Sequence, residues 1–446
     1  MLKRVINRVA TEPASIHPSE PPRTSQPVRP VPAAAGLFDR RGTILLGSAV
    51  VLILVTLVLF WSRRGTRADS PSSQLVRTAT ATRADFVRTV RVHGIVEAID
   101  SHAVTATALE AGSGAGEREL VRELDRHIQK AATTGFSGSV LVARGGWVLL
   151  DRSYGWADAD PTRRAKPGTR YWVASISKQF TAAAILKLEA QGRLSTSDAI
   201  SRFLPGVPPD KRAITIHQLL THTSGIGQNY AADGIPDLEE AVKAVCAQPL
   251  LSPPGEQFRY ANDNYNLLAM IVQLASGQRF EDYLREQLFV PAGMKHSGFW
   301  GTLSKKEAQE TAFVRKPVSG ANAGPNWGFR GATGVLSTTG DLFRWQQALF
   351  AGRVPSAAVR DNLLRGYVKL TETEVAYGWF RSRSARGRLV LWTRGSEEFG
   401  HNAVIKVYPD LDMVVIVASN AGELGDKTQA ASRVLGEELE KIIDSR

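Results

Sequence analysis

Residues 43–61 read TILLGSAVVLILVTLVLFW, a run without a charged side chain. A helix needs about twenty apolar residues to cross a bilayer, so this run predicts a transmembrane helix. Trp61 and the pair Arg63, Arg64 suit its interface. The segment that follows, WSRRGTR, is a poor cleavage site, so an uncleaved anchor is expected rather than a signal peptide. Residues 1–42 are rich in Pro, Ser, Ala and Arg, show no hydrophobic period, and predict a disordered segment. Residues 62–113 predict a polar tether, within which 83–109 alternate like a strand and carry many β-branched residues. The Gly-rich stretch EAGSGAGE at 110–117 marks the boundary to a folded body over 114–446.

The body opens with ERELVRELDRHIQKAATTG, where Leu120, Val121, Leu124 and Ile128 form one stripe of an amphipathic helix. Two alternating strands follow over 137–158, around Gly145-Gly146, a hairpin signal. The end of the chain mirrors the start. TEVAYGWFRSR, GRLVLWT, HNAVIKVYP and LDMVVIVAS are four strand candidates, and a terminal helix is expected over about 426–443. Helical patterns and long loops lie between. The predicted class is α+β: an antiparallel sheet built from both ends of the body, flanked by helices, with a mostly helical insertion.

Charge changes the picture little. The formal net charge is +12, but half of it falls in residues 1–112, beside the predicted anchor. The body has no basic run interleaved with aromatics, so a nucleic-acid partner is not expected. Orientation is undecided by charge, because Arg29, Arg40 and Arg41 flank one side of the anchor and Arg63, Arg64, Arg67 and Arg77 the other. The one cysteine, Cys246, cannot form an intramolecular disulfide and sits in an apolar stretch as a small hydrophobe.

The segment YWVASISKQFTAAAILKLEAQGRL, 171–194, carries the candidate chemistry. From Ser175 onward it has helical periodicity, and positions i and i+3 share a face, so the Lys178 amine can reach the Ser175 hydroxyl. A serine hydroxyl is a poor nucleophile without a base, and a lysine serves once burial lowers its pKa. Ser-x-x-Lys is common by chance, and context decides. In FRYANDNYNLLA, 258–269, Tyr260 and Asn262 stand two apart in an extended stretch before a helix, so a phenol and an amide project together. The phenol can relay a proton, and the amide can hold a substrate carbonyl. His217 and His222 invite a metal reading, but their i+5 spacing shares no helix face and has no acidic partner. No metal and no cofactor are expected.

These elements, in this order, are similar to those of the serine β-lactamase and penicillin-binding superfamily, in particular the class C β-lactamase-related esterases and D-aminopeptidases. ASISKQFTA, ITIHQLLTHTSG (214–225), FRYANDNYNLLA, FVPAGM (289–294) and GATGVLSTTGDL (331–342) carry the resemblance, which spans about 120–443. It implies Ser175 as acylated nucleophile, Lys178 and Tyr260 as the general acid/base pair, and Asn262 as a residue that orients substrate. The family expects Lys-Thr-Gly or His-x-Gly on an edge strand near the end of the domain. The C-terminal strand candidates here carry neither. The best substitute is Thr393-Arg394-Gly395, where hydroxyl and guanidinium could receive a substrate carboxylate and glycine permits close approach. Ser396 would then add an oxyanion N–H to that of Ser175. His401, the rival third element, aligns with a packing position past the motif.

The expectation is therefore a membrane-anchored serine hydrolase acting on a small-molecule or peptide substrate: a peptidoglycan-like peptide, a β-lactam or a small ester. Family substrates are mostly extracytoplasmic, which implies a single-pass inner-membrane protein with a periplasmic body. The alternative is a catalytically weak or inactive envelope scaffold. Residues 83–109 resemble the opening strands of a periplasmic adaptor protein of the membrane-fusion type, which would make residues 75–109 the contact for an envelope partner.

Overall fold

Gly145 and Gly146, with φ of 57° and 80°, turn strand β1 (Gly138–Arg144) back into β2 (Trp147–Tyr154). Left-handed backbone at both turn residues matches the twist of the flanking strands and favours glycine. The computed structural model describes residues 115–446 apart from 159–161, 300, 303, 305–306, 308, 313–325, 398–399 and 425–426. The helix expected over 43–61, the segment 1–42, and the tether of 62–113 with its partner stretch 75–109 lie outside the described residues. Among the described residues no helix is long and apolar enough to cross a membrane.

β3 (Tyr171–Trp172), β4 (Gly298–Phe299) and β5 (Val335–Ser337) form a small antiparallel sheet, ordered β3-β5-β4. The main sheet adds β6 (Val368–Lys369), β7 (Thr373–Val375), β8 (Phe380–Arg383), β9 (Leu389–Ser396), β10 (Asn402–Tyr408) and β11 (Met413–Ser419). Its eight strands run β2-β1-β11-β10-β9-β8-β7-β6, each antiparallel to its neighbours. The two ends of the domain meet where Gly138 pairs with Ser419 and Arg144 with Met413. β11 is buried at all seven positions, which explains why VVIVA is a continuous apolar run rather than an alternating one.

The sheet separates two cores. On one face, helix α1 (Ala115–Thr133) buries Leu120, Leu124 and Ile128 beside Val434, Leu435 and Leu439 of the C-terminal helix. On the other lies helix α2 (Ser177–Ala190), buried around most of its circumference, as a central helix must be. Its Phe180 ring meets Phe289 edge-on at 5.2 Å and Trp345 at 5.0 Å, so Phe180→Ala would cost about 3–5 kcal/mol. The insertion supplies α3 (Ile216–Leu220), opened by a Thr215–Gln218 capping box, then α4 (Leu238–Cys246) and α5 (Asn262–Ser276). After it come α6 (Thr339–Phe350) and the C-terminal helix α7 (Ala431–Asp444).

Two expectations are revised. TEVAYGWFRSR forms two strands, β7 and β8, because the chain reverses through Ala376–Trp379, with Gly378 at φ 72°. A β carbon at Gly378 would lie 2.7 Å from Gln179 Cα and 2.8 Å from the Lys178 carbonyl carbon, so this turn presses on α2. The terminal helix begins at Ala431 rather than near 426, since Lys427–Ala430 first pairs as a short strand with Glu423–Leu424.

Candidate active site

The nucleophile candidate stands on a strained turn. Ala174 has φ 49°, a left-handed conformation that costs a non-glycine residue roughly 1–3 kcal/mol. The neighbours hold it. Val173 N–H donates to Val335 O at 3.1 Å; the Ser177 hydroxyl donates to Ala174 O at 2.7 Å and accepts from Val335 N–H at 3.0 Å. Ser175 therefore projects from the one-turn 3-10 segment Ala174–Ile176 that leads into α2.

Lys178, 2% exposed, lies beneath Ser175. Its amine is 3.1 Å from Ser175 Oγ, 2.7 Å from Asn262 Oδ1 and 3.1 Å from Ala332 O. Burial lowers its pKa to about 7, partly offset by the Glu397 carboxylate. A neutral amine has two N–H bonds and one lone pair. The Asn262 and Ala332 oxygens are acceptors and take the two hydrogens, which leaves the lone pair for the Ser175 proton.

Tyr260 closes the other side. Its ring centroid is 4.9 Å from Lys178 Nζ. The residue as a whole is 36% exposed, yet its hydroxyl reaches the crowded end of the cleft. There burial pushes the phenol up to about 12, against a smaller lowering by its hydrogen bond with Ser175. Behind the ring lies His222, stacked at 4.4 Å and 29°. His222 is buried, holds φ 58°, and accepts the Ala261 N–H on Nδ1 at 3.2 Å. Burial, reinforced by the Lys178 charge, holds it neutral. It acts as a flat shelf that fixes the Tyr260 ring.

β9 forms the third wall. Thr393 and Gly395 face Ser175, and the register pairs them with Ile405 and Ala403 of the same core. A β carbon at Gly395 would lie 2.3 Å from Val173 O and 2.6 Å from Ser175 N, so only glycine lets this strand approach. Glu397 N–H donates to His401 O at 2.9 Å. By ladder alternation Gly395 is the next residue bonded to β10, and the Ser396 N–H points away from it. β8 ends opposite Trp392, so that N–H emerges at an edge without a strand partner.

The structure thus brings Ser175, Lys178, Tyr260, Asn262, Thr393, Gly395 and Ser396 together. Arg394 is different. Strand alternation turns it to the opposite face, beside Val404 and over the Trp392 ring, so it does not meet Ser175. His401 is buried against Trp172, ring centroids 6.3 Å apart, and burial lowers its pKa to about 4. His217 bonds the Tyr377 hydroxyl at 2.7 Å, away from the His222 shelf. Among the described residues no group of three or more His, Cys, Asp or Glu could hold a metal ion.

Three contributors escaped the sequence: the Ala332 carbonyl, the His222 shelf and Glu397. A backbone acceptor has no sequence signal. His222 lay in a motif already visible, but its stacking depends on a left-handed φ. Glu397 follows Ser396 directly, and position along β9 was the only pointer to it.

Known proteins share this fold. Penicillin-binding protein 4* of Bacillus subtilis (strain 168) is 31% identical over 322 residues, 66% of this chain and 70% of its own. The octameric penicillin-binding protein homologue from Pyrococcus abyssi superposes with a TM-score of 0.60 at 24% identity, covering 71% of this chain and 77% of that one. A class C beta-lactamase in complex with cefoxitin gives 0.65 at 21% identity, covering 74% and 100%. At these identities the structural likeness is one of fold. Residues 123–438 match the family model described as beta-lactamase, and the chain belongs to that family of serine hydrolases, with penicillin-binding proteins and class C beta-lactamases as its neighbours.

Proposed function

We propose that the protein cleaves an amide or ester through an acyl-enzyme on Ser175. The observation that carries this is the Lys178 amine, buried, lowered to about 7 and 3.1 Å from the serine oxygen. Since Tyr260 stays protonated up to about 12, the amine is the base at neutral pH and the phenol is the acid. Lys178 takes the Ser175 proton as Oγ bonds to the carbonyl carbon. The carbonyl electrons move onto oxygen, which the Ser175 and Ser396 N–H groups receive. When the tetrahedral species collapses, the bond to nitrogen or oxygen breaks and the leaving group takes the Tyr260 proton. The Lys178 ammonium restores that proton to the Tyr260 oxygen, which leaves the amine neutral again. Water then attacks the ester and gives a proton to the same amine; as the bond from the carbonyl carbon to Oγ breaks, the ammonium returns that proton to Oγ and Ser175 is regenerated.

The substrate class is a peptidoglycan-like peptide, a β-lactam or a small ester. An anchor over 43–61 would hold the body on the extracytoplasmic side, where such substrates occur. Two probes test the chemistry. A fluorophosphonate or fluorescent penicillin should label the parent covalently and leave Ser175→Ala unlabelled, and hydrolysis of a p-nitrophenyl ester or nitrocefin should vanish with it. Equal labelling of both proteins would end the proposal.

A further inference from the structure

Tyr230 is 47% exposed and holds a backbone φ of 51°. A left-handed φ strains a residue with a β carbon, and glycine or asparagine would close the same turn at less cost. Neither burial nor the turn therefore calls for an aromatic ring here. Strain of this kind persists where surrounding contacts over-determine it, and it gathers at sites that touch ligands.

Those contacts tie the loop 228–235 to the cleft. Gln228 Oε1 accepts the Asn262 N–H at 2.5 Å. The Asp263 carboxylate, buried at the start of α5, accepts the Ala231 N–H at 3.4 Å, and the N–H groups of Asn229 and Ala232 also favour its charged form. Tyr230 lies between these ties, and two residues span at most about 7 Å, so its ring is kept beside Asn262. Farther along, Gly234 N–H donates to Asn326 Oδ1 at 3.3 Å and Trp327 N–H to Ile235 O at 2.8 Å. A β carbon at Gly328 would lie 2.6 Å from Asp233 Cα, so this end of the loop rests on the segment that leads to Ala332. The two ends thus meet the two stretches whose oxygens hold the Lys178 amine, Asn262 and Ala332. Leu251, 52% exposed, lies over Gly227 at the base of the loop, where a β carbon would come within 2.7 Å of its Cδ1. The rim on this side therefore presents two apolar side chains to water.

The leaving group must sit at the Tyr260 hydroxyl, whose proton it takes. Tyr230 is tied beside Asn262 instead, which leaves it the acyl part. We propose that Tyr230 is a specificity-determining residue whose ring receives an apolar, aromatic end of the substrate's acyl group, an inference that rests on the acyl-enzyme at Ser175. Two aromatic rings gain from offset or edge contact beyond the area they remove from water.

The test compares kcat/KM of the full chain for p-nitrophenyl acetate and p-nitrophenyl 3-phenylpropionate, which share a leaving group. Each value is divided by the rate of hydroxide-catalysed hydrolysis of the same ester. The parent should prefer the 3-phenylpropionate about tenfold, the scale on which apolar contacts discriminate. Tyr230→Gly removes the ring and relieves the backbone, and should cut that preference about fivefold, whereas Tyr230→Phe should keep it. The ratio is formed within each protein, so a loss of folded enzyme cancels. No preference in the parent, an unchanged preference in Tyr230→Gly, or no hydrolysis of either ester would each overturn the inference. The acyl-enzyme reading is judged separately: it stands if acetate hydrolysis or fluorophosphonate labelling depends on Ser175, and falls if both survive Ser175→Ala.

Discussion

The two faces of β9 invite comparison. Toward Ser175 the strand presents Thr393 and Gly395, where a missing side chain lets backbone meet backbone. Away from it the strand presents Trp392 and Arg394, exposed enough to line a cavity with charged walls. On the first face removal of water lowers a buried amine to about 7, and two acceptors direct its lone pair. On the second, most charges are paired at the surface, where an ion pair contributes about 0–1 kcal/mol. The difference teaches where this fold tolerates cost. Burying Lys178 opposes stability, and so does the Ala174 turn, yet both stand within reach of Ser175. Adjacent residues on one strand thus belong to different chemistries because their side chains alternate.

Lys178→Met should widen the contrast most. It removes the base, and kcat/KM should fall about 10³–10⁴-fold. In the parent, kcat/KM should rise with pH through about 7 and then level, with no alkaline limb below pH 10 because the phenol sits at about 12. The stability sign is set by the same shift. Between about 7 and the ordinary lysine value of 10.5 the unfolded chain binds a proton that the folded chain refuses, so stability falls as pH falls through that window. Denaturant titrations at several pH values should find a contribution of about 1.4 kcal/mol per pH unit that Lys178→Met lacks.

Tyr260→Phe comes next. It keeps the ring on the His222 shelf but removes the acid, and should lower kcat about 10²-fold in steady-state assays. Gly395→Ala then tests close approach. A β carbon 2.3 Å from Val173 O forces β9 and the nucleophile turn apart, and chemical denaturation should register a loss of about 1–3 kcal/mol. Arg394→Ala, one residue away on the other face, should change stability by less than about 0.5 kcal/mol. Comparable losses from the last two would erase the distinction between the faces.

Much of the fold was legible because periodicity reports burial. The stripe Leu120, Leu124, Ile128 and the turn at Gly145-Gly146 emerged as helix and hairpin near their expected bounds. TEVAYGWFRSR was harder, since strand propensity runs unbroken through it and Gly378 alone signals the reversal that α2 requires. In the site, the i, i+3 spacing of Ser175 and Lys178 and the i, i+2 spacing of Tyr260 and Asn262 were local, so short-range geometry was enough to pair them. Asn262 was expected to hold substrate. In the fold its side chain bonds the lysine, a contact across 84 positions that no local pattern encodes.

By itself the sequence determined the fold class, the family and which side chains could do acyl-transfer chemistry, because hydrophobic period and motif spacing are properties of neighbouring residues. Only the tertiary structure decided which face of β9 meets the nucleophile, which backbone carbonyl takes the lysine's second hydrogen, and what fixes the phenol ring. Those depend on strand register and on the removal of water around an amine, and both arise only when distant segments pack.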